Sequence, residues 1–379
     1  MTRQPLPSVP PAAVPPAAPA RGASPVVAFD RARLGRRGFL LGAAGAALAL
    51  TGCSSDDDGK GGAEDGTKNA EGGATASAGA TASTDAAAFP VTVAGKEGTV
   101  KVTSAPKRVA ACGYLRDTDL ALALGAPLVL ATKNAVFPSG LAPWQKPTTD
   151  PELVDSTKGL PFEKIAAAAP DLILAADDYQ LADDYATLSH LAPTLSYRRG
   201  VGQDSWQDMA ARTGQVLGKR AQAEALVARV QAKIAAVHAQ HPELQGKTFT
   251  FGPVSGGEAF TIKSPTDASA VFFSQLGMTL APQVTSLPDS ATPGRAAISR
   301  ERLDLLDADV VILTFATEPE RKSFEAQPLF RKLKAVRRGS YLALDMPTAI
   351  AVAFPSVLSL PYGLDAVVPK LAAAAGRGA

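Results

Sequence analysis

Short apolar runs separated by polar, helix-patterned stretches recur from residue 89 to the C-terminus. The runs Arg108–Cys112, Leu128–Ala131, Leu172–Ala175 and Thr194–Tyr197 are apolar or β-branched at nearly every position, the pattern of strands buried on both faces. Between them, Asp117–Leu124 and Phe162–Ala169 read as helices. The same grammar returns with strands at Thr248–Phe251, Ala259–Lys263, Val310–Thr314 and Tyr341–Leu344, and helices at Ala268–Leu276 and Arg300–Leu306. Strands alternating with helices predict an α/β fold whose sheets carry helices on both faces.

An internal echo refines this. Phe162-Glu163-Lys164-Ile165 followed by Pro170-Asp171-Leu172-Ile173-Leu174 matches Arg300-Glu301-Arg302-Leu303 followed by Ala308-Asp309-Val310-Val311-Ile312 at a constant offset of 138 residues. Two equivalent helix-strand units suggest two lobes of similar topology. Between them, Asp204–Gln240 lacks proline and places Leu226, Val230, Ile234 and Val237 at helical spacing, until His241-Pro242 stops the helix. Ser205, with Asp208 three residues on, reads as an N-terminal cap. A helix over Lys219–Gln240 is about 33 Å long at 1.5 Å per residue. It is read as a strut between lobes, with a further sheet-covering helix inside one large domain as the alternative. The expected division is an N-terminal lobe over 89–203, linking helices over 204–242 and a C-terminal lobe over 243–379.

The first 88 residues follow other rules. A basic stretch ending in Arg36 and Arg37, an apolar run Phe39–Leu50 and the string LTGC (50–53) stand in export-signal order. The RRGFLL string resembles a twin-arginine signal, and LTGC resembles the lipobox at which cleavage leaves a lipidated Cys53. The apolar run is too short to span a bilayer, for which about 20 residues are required. Residues 53–88 are Gly, Ala, Ser, Thr and Asp with almost no large apolar side chain, the composition of a disordered tether. The expected location is the extracytoplasmic face of the cell membrane, held by an N-terminal lipid anchor.

Removing residues 1–52 changes the charge: 38 basic and 36 acidic side chains become 32 and 35. The cationic excess that nucleic acid would require is gone. Cys112, the one thiol besides Cys53, lies in an apolar run and reads as buried and inert. Nucleophile-elbow, phosphate-loop and H-E-x-x-H motifs are absent, and the paired glycines of VSGGEAF (254–260) read as a turn. Only His190, His238 and His241 exist, without paired ligand spacing, which disfavours direct metal capture. No catalytic residue is assigned.

Seven strings in order, among them PKRVAACGYLRDTDLALALGAPLVLAT (106–132), FEKIAAAAPDLILA (162–175), SRERLDLLDADVVIL (299–313) and FPSVLSLPYGLDAVVPKLAAA (354–374), carry a resemblance. The chain resembles the iron-siderophore substrate-binding proteins of ABC importers, of ferric hydroxamate type. The resemblance implies the class III periplasmic-binding-protein fold, two Rossmann-like lobes joined by one long helix, with the ligand in a cleft between them. It implies a monomer whose ligand is a ferric siderophore and which needs no cofactor or protein-borne metal. It also implies that Glu163 and Glu301 present one carboxylate per lobe to a membrane permease. A ferric siderophore calls for aromatic walls and cations facing oxygen-rich edges. The loops offer Tyr114, Arg116, Trp144, Tyr179, Tyr197, Arg198 and Trp206 in the first lobe, and Arg295, Phe315 and Phe354 in the second; Arg199 reads equally as a solvated neighbour. Cobalamin or haem in the same cleft is the competing ligand, and a secreted enzyme the distant alternative.

Overall fold

The computed structural model describes residues 89–292 and 294–378; Arg36, Arg37, Cys53 and the tether lie outside them. The described chain begins with an antiparallel ribbon, β1 (Val91–Ala94) on β2 (Thr99–Val102), whose alternation turns Val93, Val100 and Val102 inward. Five strands follow: β3 (Val109–Ala111), β4 (Leu128–Thr132), β5 (Glu152–Val154), β6 (Leu172–Leu174) and β7 (Thr194–Leu195). They form one sheet in the order β5-β4-β3-β6-β7, parallel throughout, with α1 (Arg116–Ala123), α2 (Phe162–Ala167) and α3 (Leu181–Leu191) in the crossovers. The near-continuous apolar runs have the cause expected of them: Val109, Leu172 and Leu174 pack on one face, Ala110, Leu130 and Ile173 on the other.

Two helices then lead away from this sheet. α4 (Trp206–Val216) is capped by Ser205, whose Oγ accepts the Asp208 N–H at 3.0 Å. α5 (Arg220–Gln240) runs for 21 residues, about 31 Å at 1.5 Å per residue. Its buried stripe starts among first-sheet residues at Ala223, touches both cores at Leu226, and continues with Val230 and Ile234 in the core built around the second sheet.

The second sheet contains β8 (Thr248–Ser255), β9 (Glu258–Ile262), β10 (Thr279–Leu280), β11 (Arg295–Ile298), β12 (Val310–Phe315) and β13 (Tyr341–Leu344). Its order is β11-β9-β8-β12-β13, with β10 also on β8. Around it stand α6 (Ala268–Gln275), α7 (Pro282–Thr285), α8 (Glu318–Glu325), α9 (Pro328–Lys332), α10 (Lys334–Arg337), α11 (Met346–Ala353) and α12 (Ser359–Ala375). Within it, β10-β8-β12-β13 repeats the parallel arrangement β4-β3-β6-β7 of the first sheet.

The echoed aspartates make equivalent clamps. Asp171, before β6, accepts the backbone N–H of Lys107 and Arg108 ahead of β3 at 2.7 and 2.9 Å. Asp309, before β12, accepts the Thr248 N–H that opens β8 at 2.8 Å.

The likeness stops at the edges. β9 and β11 are antiparallel, because Gly256 and Gly257, both at positive φ (60° and 78°), fold β8 straight back into β9 where the first lobe uses a crossover. Residues Arg300–Leu306, expected as a regular helix, form a 3₁₀ segment broken at Arg302 (φ −117°, ψ 31°). Glu163 therefore sits on an α-helical turn and Glu301 on a 3₁₀ turn, both exposed. Phe249, Phe251, Phe272 and Phe273 centre the largest core, which α11 and α12 close from one side. No helix among the described residues is long and apolar enough to cross a membrane.

Candidate functional site

In the first sheet the chain winds outward from β3 through β4 to β5 on one side, and from β6 to β7 on the other. Where winding reverses, the loops after the two central strands part and leave a crevice at their carboxyl ends, the usual ligand position in open α/β sheets. Here the loops are 112–115, entering α1, and 175–180, entering α3.

One carboxylate organises both loops. Asp177, fully buried, accepts the backbone N–H groups of Leu115 (2.9 Å) and Arg116 (2.8 Å) through Oδ2. It thereby caps α1, for which Leu115 has no side-chain acceptor to offer. Its Oδ1 accepts Arg116 Nε at 2.7 Å and pairs with Nη2 at 2.5 Å. Burial works against the Arg116 charge, but the adjoining Asp177 outweighs it, and the guanidinium pKa stands above its ordinary value. Gly113 passes between these groups: an added Cβ would lie 2.2 Å from Asp117 Oδ2 and 2.8 Å from Asp177 Cβ.

Two more buried acids lie on α1. Asp117 accepts the Asp177 N–H at 3.0 Å through Oδ2, while Oδ1 has no partner. Burial, then the Asp177 carboxylate, lifts its pKa to about 8, so it is mostly protonated at neutral pH. Asp119 accepts Trp144 Nε1 (3.1 Å), Gln145 Nε2 (2.6 Å) and the hydroxyl of Ser356, which lies between α11 and α12. Burial raises its pKa to about 7 against the opposing pull of those bonds. The Ser356 Oγ also accepts the N–H groups of Leu358 and Ser359 at the start of α12. A single buried carboxylate thus ties the first lobe to the second.

Beside this joint, Tyr114 meets Tyr179 edge-on (centroids 5.8 Å apart) and Phe354 of the second lobe at 4.9 Å. Burial, with Asp177 adding to it, raises the Tyr179 pKa, and the charges of Arg116 and Arg295 oppose that rise. An adjoining groove of about 210 Å³ is lined by Arg116, Arg199 and Trp206 from one side, and by Thr266, Phe272 and Pro355 from the other. Arg295 pairs at 3.4 Å with Asp267, the residue between the lining Thr266 and Ala268.

Of the ten residues expected to face a ligand, the fold brings Tyr114, Arg116, Tyr179, Arg295 and Phe354 together, with Trp206 lining the groove while mostly buried. Trp144 lies at the joint, packed at a tilt of 46° on Tyr362 with centroids 5.0 Å apart. Arg198 is exposed and 3.8 Å from Asp208, whereas its neighbour Arg199 lines the groove. Tyr197 and Phe315 are corrections. Tyr197 packs in the first lobe's core with its hydroxyl donating to Glu97 (2.6 Å), and Phe315 packs on Phe324 in the second lobe's core.

Sequence reasoning missed the acids Asp117, Asp119 and Asp177 and their partners Gln145 and Ser356. Their signal was present: LRDTDL and AADDY put acids directly after runs that had to be buried. Among the described residues, no group of three or more His, Cys, Asp or Glu could hold a metal ion. Cys112 is buried, and burial pushes its thiol pKa far above the ordinary value.

A family model described as "Periplasmic binding protein" matches residues 111–347. The chain is 26% identical over 280 residues to the ferric enterobactin-binding periplasmic protein FepB of Escherichia coli O6:H1, covering 69% of this chain and 86% of that one. Among solved structures it is similar to a periplasmic solute binding protein from Mycobacterium smegmatis (30% identity, TM-score 0.66, 76% of this chain and 99% of that one). It is also similar to Streptococcus pneumoniae PiaA in complex with ferrichrome (25% identity, TM-score 0.64, 76% and 99%).

Proposed function

The chain belongs to the periplasmic binding protein family, and from that membership we propose that it captures a ferric siderophore outside the cytoplasmic membrane and delivers it to an ABC importer permease. The observation that carries this reading is the convergence of Tyr114, Tyr179 and Arg116 from one lobe with Phe354 and Arg295 from the other, beside the first sheet's switch point. Aromatic faces and guanidinium donors suit a coordinatively saturated, oxygen-edged complex, which asks for no metal ligand from the protein. Relatives described as binding ferric enterobactin and ferrichrome support the ligand class. The role is binding without catalysis.

Trp206 lines the groove and Trp144 lies at the joint, so intrinsic fluorescence reports on both. Titration with ferric siderophores is expected to give saturable quenching that the iron-free compounds do not match. Quenching by cobalamin or haem alone would move the ligand to those classes, and no response from a folded chain would sink the proposal.

The rest of the assignment follows the same reading. Glu163 and Glu301, exposed at matching positions of the internal echo, dock the permease. Reversing both charges is expected to abolish uptake at unchanged ligand affinity, and intact uptake would refute the docking role. Export through Arg36 and Arg37 and anchoring through a lipidated Cys53 place the protein, as a monomer, on the outer face of the membrane. Cys53→Ser is expected to release it into the soluble fraction.

A further inference from the structure

Between Glu325 and Asp345 the chain carries five basic residues, Arg331, Lys332, Lys334, Arg337 and Arg338, and no acid. The short helices α9 and α10 sort this segment into two faces. Phe330, Leu333 and Ala335 pack into the core beside β12, while Leu329, Arg331, Lys332, Lys334 and Arg337 are exposed, Leu329 by 43%. Arg338 turns inward, its Nη2 donating to the Ala308 and Asp309 carbonyls ahead of β12, which puts the segment at the amino ends of the parallel strands. None of these residues lines the groove that holds Arg116 and Trp206.

This face lacks counter-charge. Several exposed cations elsewhere are paired: Lys164 with Glu152 (3.1 Å), Arg220 with Glu224 (3.0 Å) and Lys233 with Asp365 (2.7 Å). Among the described residues, Lys332, Lys334 and Arg337 make no ion pair, and Arg331 spends only its Nε, on the Glu325 carbonyl at 3.1 Å. Two acids reach the segment, and both are committed. Glu325 accepts from Arg321 Nε (2.7 Å) and the Tyr341 hydroxyl (2.9 Å), and Asp307 accepts the backbone N–H groups of Lys334 (3.0 Å) and Ala335 (2.9 Å). Residues 53–379 as a whole hold 32 basic and 35 acidic side chains, so the positive excess is local to this face.

Four cations around an exposed leucine suit an anionic lipid surface, where the charges meet headgroups and the leucine leaves water; a soluble polyanion would use the charges alone. Residues 54–88, which reach at most about 120 Å at about 3.5 Å each, keep the second lobe near a membrane that holds Cys53. We infer that this face docks on the anionic headgroup surface of the membrane, with Arg331, Lys332, Lys334 and Arg337 at headgroup phosphates and Leu329 at the acyl boundary. The inference rests on the anchoring part of the reading above and is independent of the ligand. An acyl anchor fixes only where the chain starts, whereas this contact sets how the folded part meets the surface.

The test uses residues 53–379 with Cys53→Ser, so that no acyl chain contributes, sedimented with vesicles of phosphatidylglycerol and phosphatidylcholine or of phosphatidylcholine alone. Binding is expected to the anionic vesicles only, falling at least about tenfold between about 0.05 and 0.5 M salt. Each basic residue held at such a surface contributes roughly fivefold to partitioning, so Arg331→Gln, Lys332→Gln, Lys334→Gln and Arg337→Gln together are expected to lower it by more than about a hundredfold. Leu329→Ser is expected to lower it about three- to tenfold while leaving any binding to soluble polyphosphate unchanged. All five side chains are exposed, and unaltered near-ultraviolet circular dichroism checks that the variants fold. No binding to anionic vesicles, equal binding to neutral ones, partitioning retained by the fourfold variant, or a Leu329→Ser variant that binds vesicles like its parent would each overturn the inference. Each would leave the siderophore reading standing, since that reading fails on ligand titration alone.

Discussion

Replacing Ser356 by alanine tests the joint between the lobes with the loss of one oxygen atom. The hydroxyl is buried and makes three contacts: it donates to Asp119 and accepts the N–H groups of Leu358 (3.1 Å) and Ser359 (2.9 Å). A hydrogen bond to a charged group contributes about 1.5–3 kcal/mol. Loss of a side-chain acceptor at a helix start costs about 1 kcal/mol. The sum, reduced because Asp119 with a pKa of about 7 is only part-ionised at neutral pH, is about 2–4 kcal/mol. For a chain of this size each kcal/mol moves Tm by about 2–4 °C, so a fall of roughly 4–16 °C is expected in thermal unfolding followed by near-ultraviolet circular dichroism. The Ser356 bond also lowers the Asp119 pKa, so in the variant that group should titrate above its wild-type value. A Tm within about 2 °C of wild type would refute the claim that this hydroxyl holds both the joint and the start of α12.

Three further outcomes follow from the same geometry. Asp117, Asp119 and Asp178 have folded-state pKa values of about 8, 7 and 7, raised chiefly by burial from an ordinary 3.8, so the folded chain binds protons more tightly than the unfolded one. Stability is therefore fullest near pH 4 as far as these groups decide it, and is lost as pH rises through 7 and 8; Tm should fall between pH 5.5 and 8.5, and Asp117→Asn should flatten that slope. Gly113→Ala forces a Cβ against Asp117 and Asp177, at about 1–3 kcal/mol of overpacking, and should weaken ligand binding more than substitution at an exposed loop position, read by titration and denaturant melts. Phe273→Ala empties the centre of the Phe249, Phe251 and Phe272 cluster and should cost about 3–5 kcal/mol in denaturant unfolding.

Four strands of the first sheet, β3, β4, β6 and β7, were legible because they are buried on both faces and read as apolar runs, whereas the edge strand β5, ELV with an exposed Glu152, makes no such run. The ribbon β1–β2 was overlooked although VTVA and TVKV alternate, being too short to compete with those runs. α11 and α12 escaped for the opposite reason: MPTAIAVA and SLPYGLDAVVPKLAAAA are apolar nearly all round, one carries Pro369 inside the helix, and neither offers a polar face to mark its period. Phe315 was misplaced by reading it as a loop residue. It belongs to β12, where Val311, Leu313 and Phe315 share a face toward the outer core while Val310 and Ile312 face the central one, so period-2 reasoning assigns its side once the strand is extended by one residue. Periodicity alone passes over the aspartates, although LRDTDL and AADDY set them beside runs that had to be buried, because burial of acids reverses the rule by which patterns are read. Only pairing across the fold, such as Asp177 with Arg116 61 residues away, makes such burial tolerable.

The Asp119–Ser356 bond constrains how the lobes move. A groove of about 210 Å³ is below the roughly 300–1,000 Å³ of small-molecule sites, so a siderophore complex either projects from it or enters as the lobes part. Parting the lobes at the joint would strip Asp119 of its Ser356 donor, and Trp144 of its packing on Tyr362. Losing that hydrogen bond costs up to about 1.5–3 kcal/mol, a population penalty of roughly ten- to a hundredfold. Opening is therefore cheapest where the joint stays closed and the rim yields, in the segment carrying Arg199, Asp204 and Trp206 opposite α6. The joint acts as the fulcrum, with α5 holding the far side at fixed length, and the motion left to this fold is a small change at the rim.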